Sequence, residues 1–318
     1  MNIADFRWEI SARARQLLIE LEAIKLNFEL LSLPSKLEDN LRKTALLKSS
    51  VYSSRIEGFE DTETNPKLES QNLLRAYRLI NSDRIPQKFS LELIREFHAL
   101  TLDNISFNAG QWRMEEWAVF NEAGIAIHKA PLYISIPKLM EDFVNLINNI
   151  DDHVGIKAAI AQFVFEKIHP FADGNGRVGR LISAFILAKS GYGFGGLAPF
   201  EEYIDVHRKD YYDTLTPGVN ASSFVEFFLE AVVNQSKKIL INIREPIQKS
   251  IEDDLSLRQQ EILATITDHP YSSFDFIRRR FMSIKSSTLH YDLAQIIKHG
   301  FIKKNRQTRG ATYLKTIK

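Results

Sequence analysis

Hydrophobic residues recur every three or four positions along most of this 318-residue chain, the spacing that places side chains on one face of an α-helix. This pattern predicts a series of helices: about 9–32, 36–57, 68–81, 90–101, 137–147, 156–168, from about 178 onward, 201–214 and 222–243. Pro34 and Gly58 are expected to mark the ends of the first two. Residues 117–128 instead alternate in polarity around a turn at 121–124, which predicts a short β-hairpin.

The pattern changes after a polar segment at 244–256, which contains Pro246 and is predicted to be a linker. Three short helical patterns follow, and then two strand-like runs: 258–267, 273–280, 286–299, 301–304 and 311–314. This order is typical of a winged helix-turn-helix domain. We therefore expect a mainly α protein with four parts: an N-terminal helical region (1–85), a helical core (86–243), the linker (244–256) and a winged-helix-like domain (257–318).

The composition excludes several kinds of chemistry. The chain has no cysteine, so it has no disulfide, no thiol nucleophile and no cysteine-based metal site. Its first residues carry charges throughout instead of the apolar run of a signal peptide. No stretch approaches the roughly 18 apolar residues that cross a bilayer. The sequence therefore predicts a cytoplasmic protein without a membrane partner.

Charge is distributed unevenly along the chain. Residues 255–318 contain 12 basic and four acidic side chains, a net charge of +8, whereas the rest of the chain has a net charge of −7. A basic domain of this kind can contact nucleic acid, here through Ser286, Ser287, His290 and Arg306. Winged helices also serve as protein-docking or dimerisation modules, so DNA binding and a homodimer both remain open.

The stretch from His169 to Arg180, HPFADGNGRVGR, combines residue types that handle a polyphosphate. A run of three residues can turn successive backbone N–H groups inward to bind an anion: Gly174, Asn175 and Gly176. The following residues have helical spacing, so this run lies at a helix N-terminus, which favours negative charge.

Charged side chains complete this loop. Arg177 and Arg180 are three residues apart and can point toward one ligand. Asp173 is placed to hold a divalent metal on the phosphates, and His169 is placed to act as a base. A plain joint between two helices would tolerate the glycines, but it would not need the acid and both arginines.

The motif His-Pro-Phe-x-Asp-Gly-Asn-Gly-Arg-x-x-Arg resembles the signature of the Fic domain at every defining position. The resemblance implies that residues 86–243 are an all-α catalytic core that transfers AMP from ATP to a Tyr, Ser or Thr hydroxyl of a protein, which is a nucleotidyltransferase reaction. Related Doc kinases depart from the Gly-Asn-Gly-Arg form, and this chain does not. A phosphocholine-transferring relative shows that other donors are used, so ATP is the expected donor.

The resemblance also implies a role for each residue of the loop. His169 deprotonates the incoming hydroxyl, and Asp173 holds Mg²⁺ or Mn²⁺ between the α and β phosphates. The 174–176 backbone cradles the same phosphates. Arg177 and Arg180 neutralise the triphosphate and stabilise the leaving pyrophosphate. Phe171 is expected to anchor the loop in the core.

A second element lies far upstream. Ser53-x-x-x-Glu57-Gly58 resembles the inhibitory motif of Fic proteins that carry their own inhibitor N-terminally. A glutamate that reaches Arg180 would form a charge-assisted pair in the place of the γ phosphate. The alternative is an ordinary solvated helix end.

Two further features have a functional and a structural interpretation. The 117–128 hairpin is predicted to be a flap on which a target protein docks by strand addition, and otherwise a surface hairpin. Tyr211 and Tyr212 can pack on the adenine, although paired tyrosines on a helix are also common in a core.

Two functions follow from these residues. One is a protein adenylyltransferase that is autoinhibited by Glu57 and modifies a target protein or itself. The alternative is a DNA-binding transcriptional regulator whose Fic core senses ATP. An intact His169 favours the enzyme, because sensing a nucleotide needs no base.

Overall fold

The structure, a computed structural model, describes residues 1–31, 33, 35–120, 126–215, 218–253, 255–282, 284–305 and 311–316. The chain divides into two compact units, Met1–Leu240 and Ile241–Lys318. Both are mainly helical, as the sequence predicts, and the described strands form one two-stranded and one three-stranded sheet.

The helices of the first unit follow the hydrophobic pattern closely. They are α1 (Ala12–Leu30), α2 (Ser35–Ile56), α3 (Leu68–Ile80), α4 (Leu91–Thr101), α5 (Ile136–Asn149), α6 (Val154–Ile168), α7 (Asn175–Lys189), α8 (Phe200–Val206), α9 (Arg208–Thr214) and α10 (Ser222–Asp253). Side-chain caps set several of the starts. Ser11 accepts the N–H of Ala14 at the start of α1, and Ser90 accepts that of Leu93 at the start of α4.

Two predicted helix boundaries are wrong. The predicted helix over 201–214 is two helices, α8 and α9, which break at His207, where Asp205 pairs with both Arg55 and Arg208. The predicted end of α10 at residue 243 lies ten residues early, because the helix continues past Pro246 to Asp253.

The centre of the first unit is the packing of α6 against α7, with α2 packed on α3 and α8 and in contact with α7. Both central helices are buried along most of their length. Aromatic side chains fill the space around them, and these are fully buried: Phe97, Phe143, Phe163, Phe165, Phe171, Phe224 and Phe228. The 169–174 loop that joins α6 to α7 is therefore fixed by a rigid core.

The predicted hairpin is present as β1 (Ala118–Phe120) and β2 (Ala126–Lys129), which pair antiparallel. Ala118 faces Lys129 and Val119 faces His128, and the register shifts before Phe120 pairs with Ala126. The predicted turn at 121–124 lies outside the described residues.

The second unit contains α11 (Leu257–Asp268), α12 (Phe274–Arg280) and α13 (Ser286–Lys298), with strands β3 (Ser272–Ser273), β4 (Ile302–Asn305) and β5 (Thr312–Lys315). The sheet order is β3–β5–β4, all antiparallel. The two-residue strand β3 is absent from the sequence prediction because it is too short to show alternation. The predicted turn at 306–310, including Arg306, lies outside the described residues. None of the described helices has the length and apolar character needed to cross a membrane.

Candidate active site

Two residues in the left-handed backbone region flank the loop between α6 and α7. His169 ends α6 with φ 48° and ψ 61° and donates its N–H to the Phe165 carbonyl at 2.9 Å. Gly174 precedes α7 with φ 77°, a conformation that glycine adopts without steric cost. The helix starts at Asn175, three residues earlier than its first periodic position, so the backbone N–H groups of its first turn belong to the motif itself.

Phe171 and Asn175 hold this loop in shape. Phe171 is fully buried and stacks on His98 with ring centroids 3.6 Å apart. The Asn175 amide accepts the Phe171 N–H at 3.0 Å and donates to its carbonyl at 2.9 Å. The side chain of Asn175 is thus used inside the loop, which leaves its backbone for the predicted phosphate cradle. Phe171 is the core anchor that the sequence predicts.

His98 supports the loop from α4, and the sequence does not single it out. Its Nδ1 accepts the Gly110 N–H at 2.8 Å, so its Nε2 carries the proton and donates to the Asp173 carbonyl at 3.1 Å. Burial lowers the pKa of His98 to about 4, which keeps the ring neutral and this tautomer fixed. A histidine inside an ordinary amphipathic helix gives no sequence signal for this role.

Two contacts hold the imidazole ring of the predicted base, His169. Its Nδ1 lies 3.3 Å from the Glu166 carbonyl oxygen, and its ring stacks on Trp117 with centroids 3.5 Å apart. A carbonyl oxygen only accepts hydrogen bonds, so Nδ1 carries the proton and the lone pair is on Nε2. This is the tautomer in which a histidine can remove a proton through Nε2.

Arg113 connects the base to the hairpin. Its Nε donates to the His169 carbonyl at 2.8 Å, and its two terminal nitrogens donate to the carbonyls of Glu115 at 2.6 Å and Pro131 at 2.5 Å. These two carbonyls precede β1 and follow β2. One buried guanidinium therefore fixes the base of the predicted flap against the loop.

Both arginines of the motif are buried, with 1% exposure at Arg177 and none at Arg180. Arg177 donates to Asp173 Oδ1 at 3.0 Å and lies over the Phe59 ring. Among the described residues, the Nε and Nη1 of Arg177 and the Nη1 of Arg180 have no hydrogen-bond partner. Buried charged donors without acceptors are costly. Their presence at one helix N-terminus fits an anion with several oxygens, such as a nucleotide phosphate.

The remaining donors of Arg180 hold the predicted inhibitory motif. Its Nη2 donates to Glu57 Oε1 at 2.7 Å and to the Ser53 carbonyl at 2.8 Å, and its Nε donates to Ser53 Oγ at 2.9 Å. Burial opposes the charge of Arg180, but the Glu57 carboxylate more than offsets this and raises the pKa of Arg180. The structure therefore brings Ser53 and Glu57 together with the motif, and Gly58, at φ 90°, follows the end of α2.

Glu57 also occupies space above the start of α7. A Cβ atom built on Gly176 would lie 2.2 Å from Glu57 Oε1. The carboxylate can therefore approach the loop only because this position is glycine. It lies against Gly176, one of the three residues that the sequence predicts to bind phosphate.

A buried network anchors α2 two helical turns before Glu57. Ser49 and Tyr77 donate to the two oxygens of Glu201, at 2.8 Å and 2.6 Å. Burial raises the pKa of Glu201 to about 7, an effect that these hydrogen bonds oppose. Ser49, Ser53 and Glu57 are spaced by four residues, so one face of α2 carries all three polar contacts. The sequence pattern identified Ser53 and Glu57, but not Ser49 or Glu201.

Asp173 is the one acid of the loop, and it is largely exposed. Its Oδ1 accepts from the Gly174 N–H at 2.6 Å and from Arg177, which leaves Oδ2 available. No group of three or more acidic or histidine side chains that could hold a metal exists among the described residues. One carboxylate together with substrate phosphates is the donor set that Mg²⁺ commonly uses, so Asp173 fits a metal that arrives with a nucleotide.

The two tyrosines of α9 differ in environment. Tyr211 is buried and its hydroxyl accepts from Gln162 at 2.9 Å, so it belongs to the core. Tyr212 is 48% exposed, and its hydroxyl donates to the Ile56 carbonyl at 3.0 Å at the end of α2. Only Tyr212 keeps a ring surface beside the predicted inhibitory motif.

Comparison with known proteins finds similarity in the part of the chain that carries this site. Residues 88–187 match the Fic/DOC family. A probable protein adenylyltransferase of Aquifex aeolicus is 36% identical over 101 residues, which is 31% of this chain and 30% of that protein. The protein adenylyltransferase Fic of Drosophila virilis is 29% identical over 122 residues, 37% of this chain and 24% of that protein. The chain thus spans less than a third of the length of these two relatives.

The fold is shared with a solved structure over nearly its whole length. A Fic family protein from Desulfovibrio desulfuricans G20 matches with a TM-score of 0.63, covering 98% of each chain at 22% identity. The chain therefore shares its helical fold with this Fic family structure.

We expect Asn175→Ala to destabilise the loop. The change leaves the buried N–H and carbonyl of Phe171 without partners, which costs about 1–3 kcal/mol for each buried group that is not compensated. Urea denaturation would measure the free energy of unfolding. The matched control, Asn149→Ala, removes an exposed amide that donates to the Asn145 carbonyl and should change stability by less than about 0.5 kcal/mol. Equal effects of the two changes would contradict the anchoring role.

Proposed function

We propose that this chain, which contains a Fic domain over residues 88–187, is a protein adenylyltransferase that transfers AMP from ATP to a hydroxyl side chain of a protein. The observation that carries the proposal is a pair of buried arginines whose N–H donors include some without a partner among the described residues, close in sequence to His169, whose Nδ1 lies 3.3 Å from the Glu166 carbonyl oxygen. The names of the relatives support the same reaction.

The residues account for each part of the reaction. The target hydroxyl oxygen attacks the α phosphorus, and His169 Nε2 takes its proton. The bond from the α phosphorus to the bridging oxygen of the β phosphate breaks, and pyrophosphate leaves with that electron pair. Arg177 and Arg180 bind the oxygens on which negative charge develops, while the first-turn N–H groups of α7 hold the α and β phosphates.

A divalent metal, Mg²⁺ or Mn²⁺, would be held by Asp173 together with the phosphate oxygens, and it would screen their charge as the pyrophosphate departs. Arg177, which donates to Asp173 Oδ1, orients this carboxylate. The metal is therefore expected to bind with the nucleotide and not before it.

The target protein is proposed to dock on the 117–128 hairpin. A strand edge at this position can pair with an extended target segment. Arg113 ties both ends of the hairpin to the carbonyl of His169, which would place such a segment beside the base. The exposed ring of Tyr212 is the proposed contact for adenine.

We expect His169→Ala to abolish AMP transfer and to leave ATP binding largely intact. The base acts only in the chemical step, where such groups contribute about 10²–10⁴-fold. Intact mass spectrometry after incubation with ATP and Mg²⁺ would detect the added AMP, and calorimetry would measure ATP affinity. Ser190→Ala, a change at the far end of α7, serves as the control. A His169→Ala protein that gains AMP at the wild-type rate would exclude this mechanism.

Glu57 is proposed to inhibit this reaction. Its carboxylate accepts from Nη2 of Arg180 at 2.7 Å, in the place proposed for the γ phosphate, and lies against Gly176. ATP that enters while Glu57 is in place would lack its arginine contact, so its α phosphorus would not be in line with the hydroxyl. A misplacement of about 1 Å can cost roughly 10²-fold in rate.

We therefore expect Glu57→Gly to raise AMP transfer by about 10²-fold at saturating ATP. Glu57 follows the last residue of α2, so the change does not place glycine inside a helix. Adding Arg180→Ala should remove the gain, because the same arginine binds the phosphate. Glu60→Gly, an exposed position nearby, is the control. If Glu57→Gly labels no faster than wild type, inhibition lies elsewhere.

A second proposed function concerns the second unit. Its three helices, three-stranded antiparallel sheet and net charge of +8 over 255–318 fit a winged helix that binds DNA, as part of a homodimer. Ser287 and His290 are exposed on α13, with Ser286 half-buried, although the His290 ring also stacks on Phe274. Arg306 lies outside the described residues.

If this unit binds DNA, the affinity of the full chain for duplex DNA should fall steeply with salt, because phosphate contacts release counterions. Replacing the exposed Lys303 and Lys304 by glutamate should weaken binding and flatten the salt dependence. Fluorescence anisotropy would measure both. Lys138→Glu and Lys209→Glu, on exposed helix surfaces of the first unit, form the matched control. Equal loss in both pairs would contradict DNA binding by the second unit.

A further inference from the structure

One buried acid of the active site has no role in the mechanism above. Glu166 lies on the last turn of α6, one turn before His169. Its side chain is 13% exposed, and its Oε1 is buried without a hydrogen-bond partner among the described residues. A buried carboxyl oxygen without a partner costs free energy, so its presence calls for a functional reason.

The carboxyl group of Glu166 lies beside the edge of the base. Its Oε2 is 3.8 Å from His169 Nδ1, and its own main-chain carbonyl is 3.3 Å from the same nitrogen. Trp117 covers the face of the ring. One residue therefore presents two oxygens to the Nδ1 edge, while Nε2, the other ring nitrogen, is the atom proposed to take the proton.

The neighbouring helix makes room for this acid. A Cβ atom on Gly179 would lie 2.9 Å from Glu166 Oε1. Gly176 makes the corresponding room for Glu57 Oε1, one turn earlier on α7. Two glycines three residues apart thus seat two carboxyl groups near Arg180, and only Glu57 is paired with its guanidinium.

From this geometry we infer that Glu166 is a positioning residue for His169, whose carboxylate orients Nδ1–H and stabilises the imidazolium formed when Nε2 takes the proton of the target hydroxyl. The inference deepens the proposed adenylyltransfer and rests on it for its catalytic consequence. It follows the general arrangement in which a histidine base is oriented by an acid at its second nitrogen.

The charge state of Glu166 also links this role to inhibition. Burial, and then the negative charge of Glu57, raise the pKa of Glu166 to about 8, against the opposing charges of Arg180 and Lys167. The other titratable groups that its charge affects are the hydroxyls of Tyr211 and Tyr212 on α9. While Glu57 is in place, Glu166 is therefore mostly protonated at neutral pH. Loss of the Glu57 charge removes the second of these two causes, so it favours the carboxylate that supports His169.

The test is made in the Glu57→Gly protein, which is compared with the same protein carrying Glu166→Gln. The matched control is Glu141→Gln, on the exposed face of α5. Glutamine keeps the volume of the acid but cannot become negative, so a purely structural role would survive the change. Histidine ¹⁵N NMR of the nucleotide-free protein would report the tautomer and the pKa of His169, with His169→Asn assigning its signal. We expect Glu166→Gln to lower the pKa of His169 by about one unit, the effect of removing a charge at this distance.

Kinetics supply the second measurement. We expect kcat for AMP transfer to fall about tenfold in Glu166→Gln, with KM for ATP unchanged and the acid limb of the pH–rate profile moved to lower pH. The kcat of Glu166→Asp, which keeps the charge on a shorter side chain, should lie between those of the Glu166 protein and of Glu166→Gln. An unchanged pKa of His169, or an unchanged kcat and pH profile, would overturn the inference. A lowered pKa in a protein that transfers no AMP in any variant would support the pairing of Glu166 with His169 and refute the proposed function instead.

Discussion

A guanidinium with no solvent exposure, that of Arg180, is the group on which the arrangement of this site depends. Taking such a charge out of water is costly unless carboxylate and carbonyl oxygens replace the lost hydration. Ser53 supplies two oxygens and Glu57 supplies a carboxylate. The position of α2 is therefore set by the needs of a residue on α7, and the same donors are those that a triphosphate would use.

Glu57 and the proposed triphosphate would bind the same guanidinium, so the contact that stabilises the resting protein opposes the proposed reaction. The pair with Glu57 satisfies a buried charge in the resting protein, whereas the proposed reaction needs that pair broken. The second anchor of α2, formed by Ser49, Tyr77 and Glu201, lies two helical turns from Glu57 and does not involve the phosphate site. It can hold the helix against the core while the Glu57 contact opens, so loss of inhibition does not require loss of the fold.

Sequence alone predicts most of the helices and the chemistry of the loop, because both depend on residues that are close in sequence. The helices follow from apolar residues at every third or fourth position, and the loop follows from a motif of neighbouring residues. The prediction fails where the cause is not local. The break between α8 and α9 occurs where Asp205 meets Arg55, and the roles of His98 and Glu201 depend on contacts across 75 and 152 positions. An acid on a buried helix face, such as Glu166, differs from a surface acid only once its neighbours are known.

The exposure of Ser53 and Glu57, the two residues proposed to inhibit the reaction, indicates how the site can open. Ser53 is fully buried inside α2, whereas the side chain of Glu57 is 28% exposed and follows the last helical residue, next to Gly58 at φ 90°. A turn at a helix end can rearrange at little cost, because few backbone hydrogen bonds hold it. Glu57 can therefore leave Arg180 by a local movement while Ser53 keeps two of the guanidinium hydrogen bonds. Because Ser53 keeps its hydrogen bonds to Arg180, an incoming phosphate can replace the Glu57 carboxylate while the buried guanidinium stays partly paired.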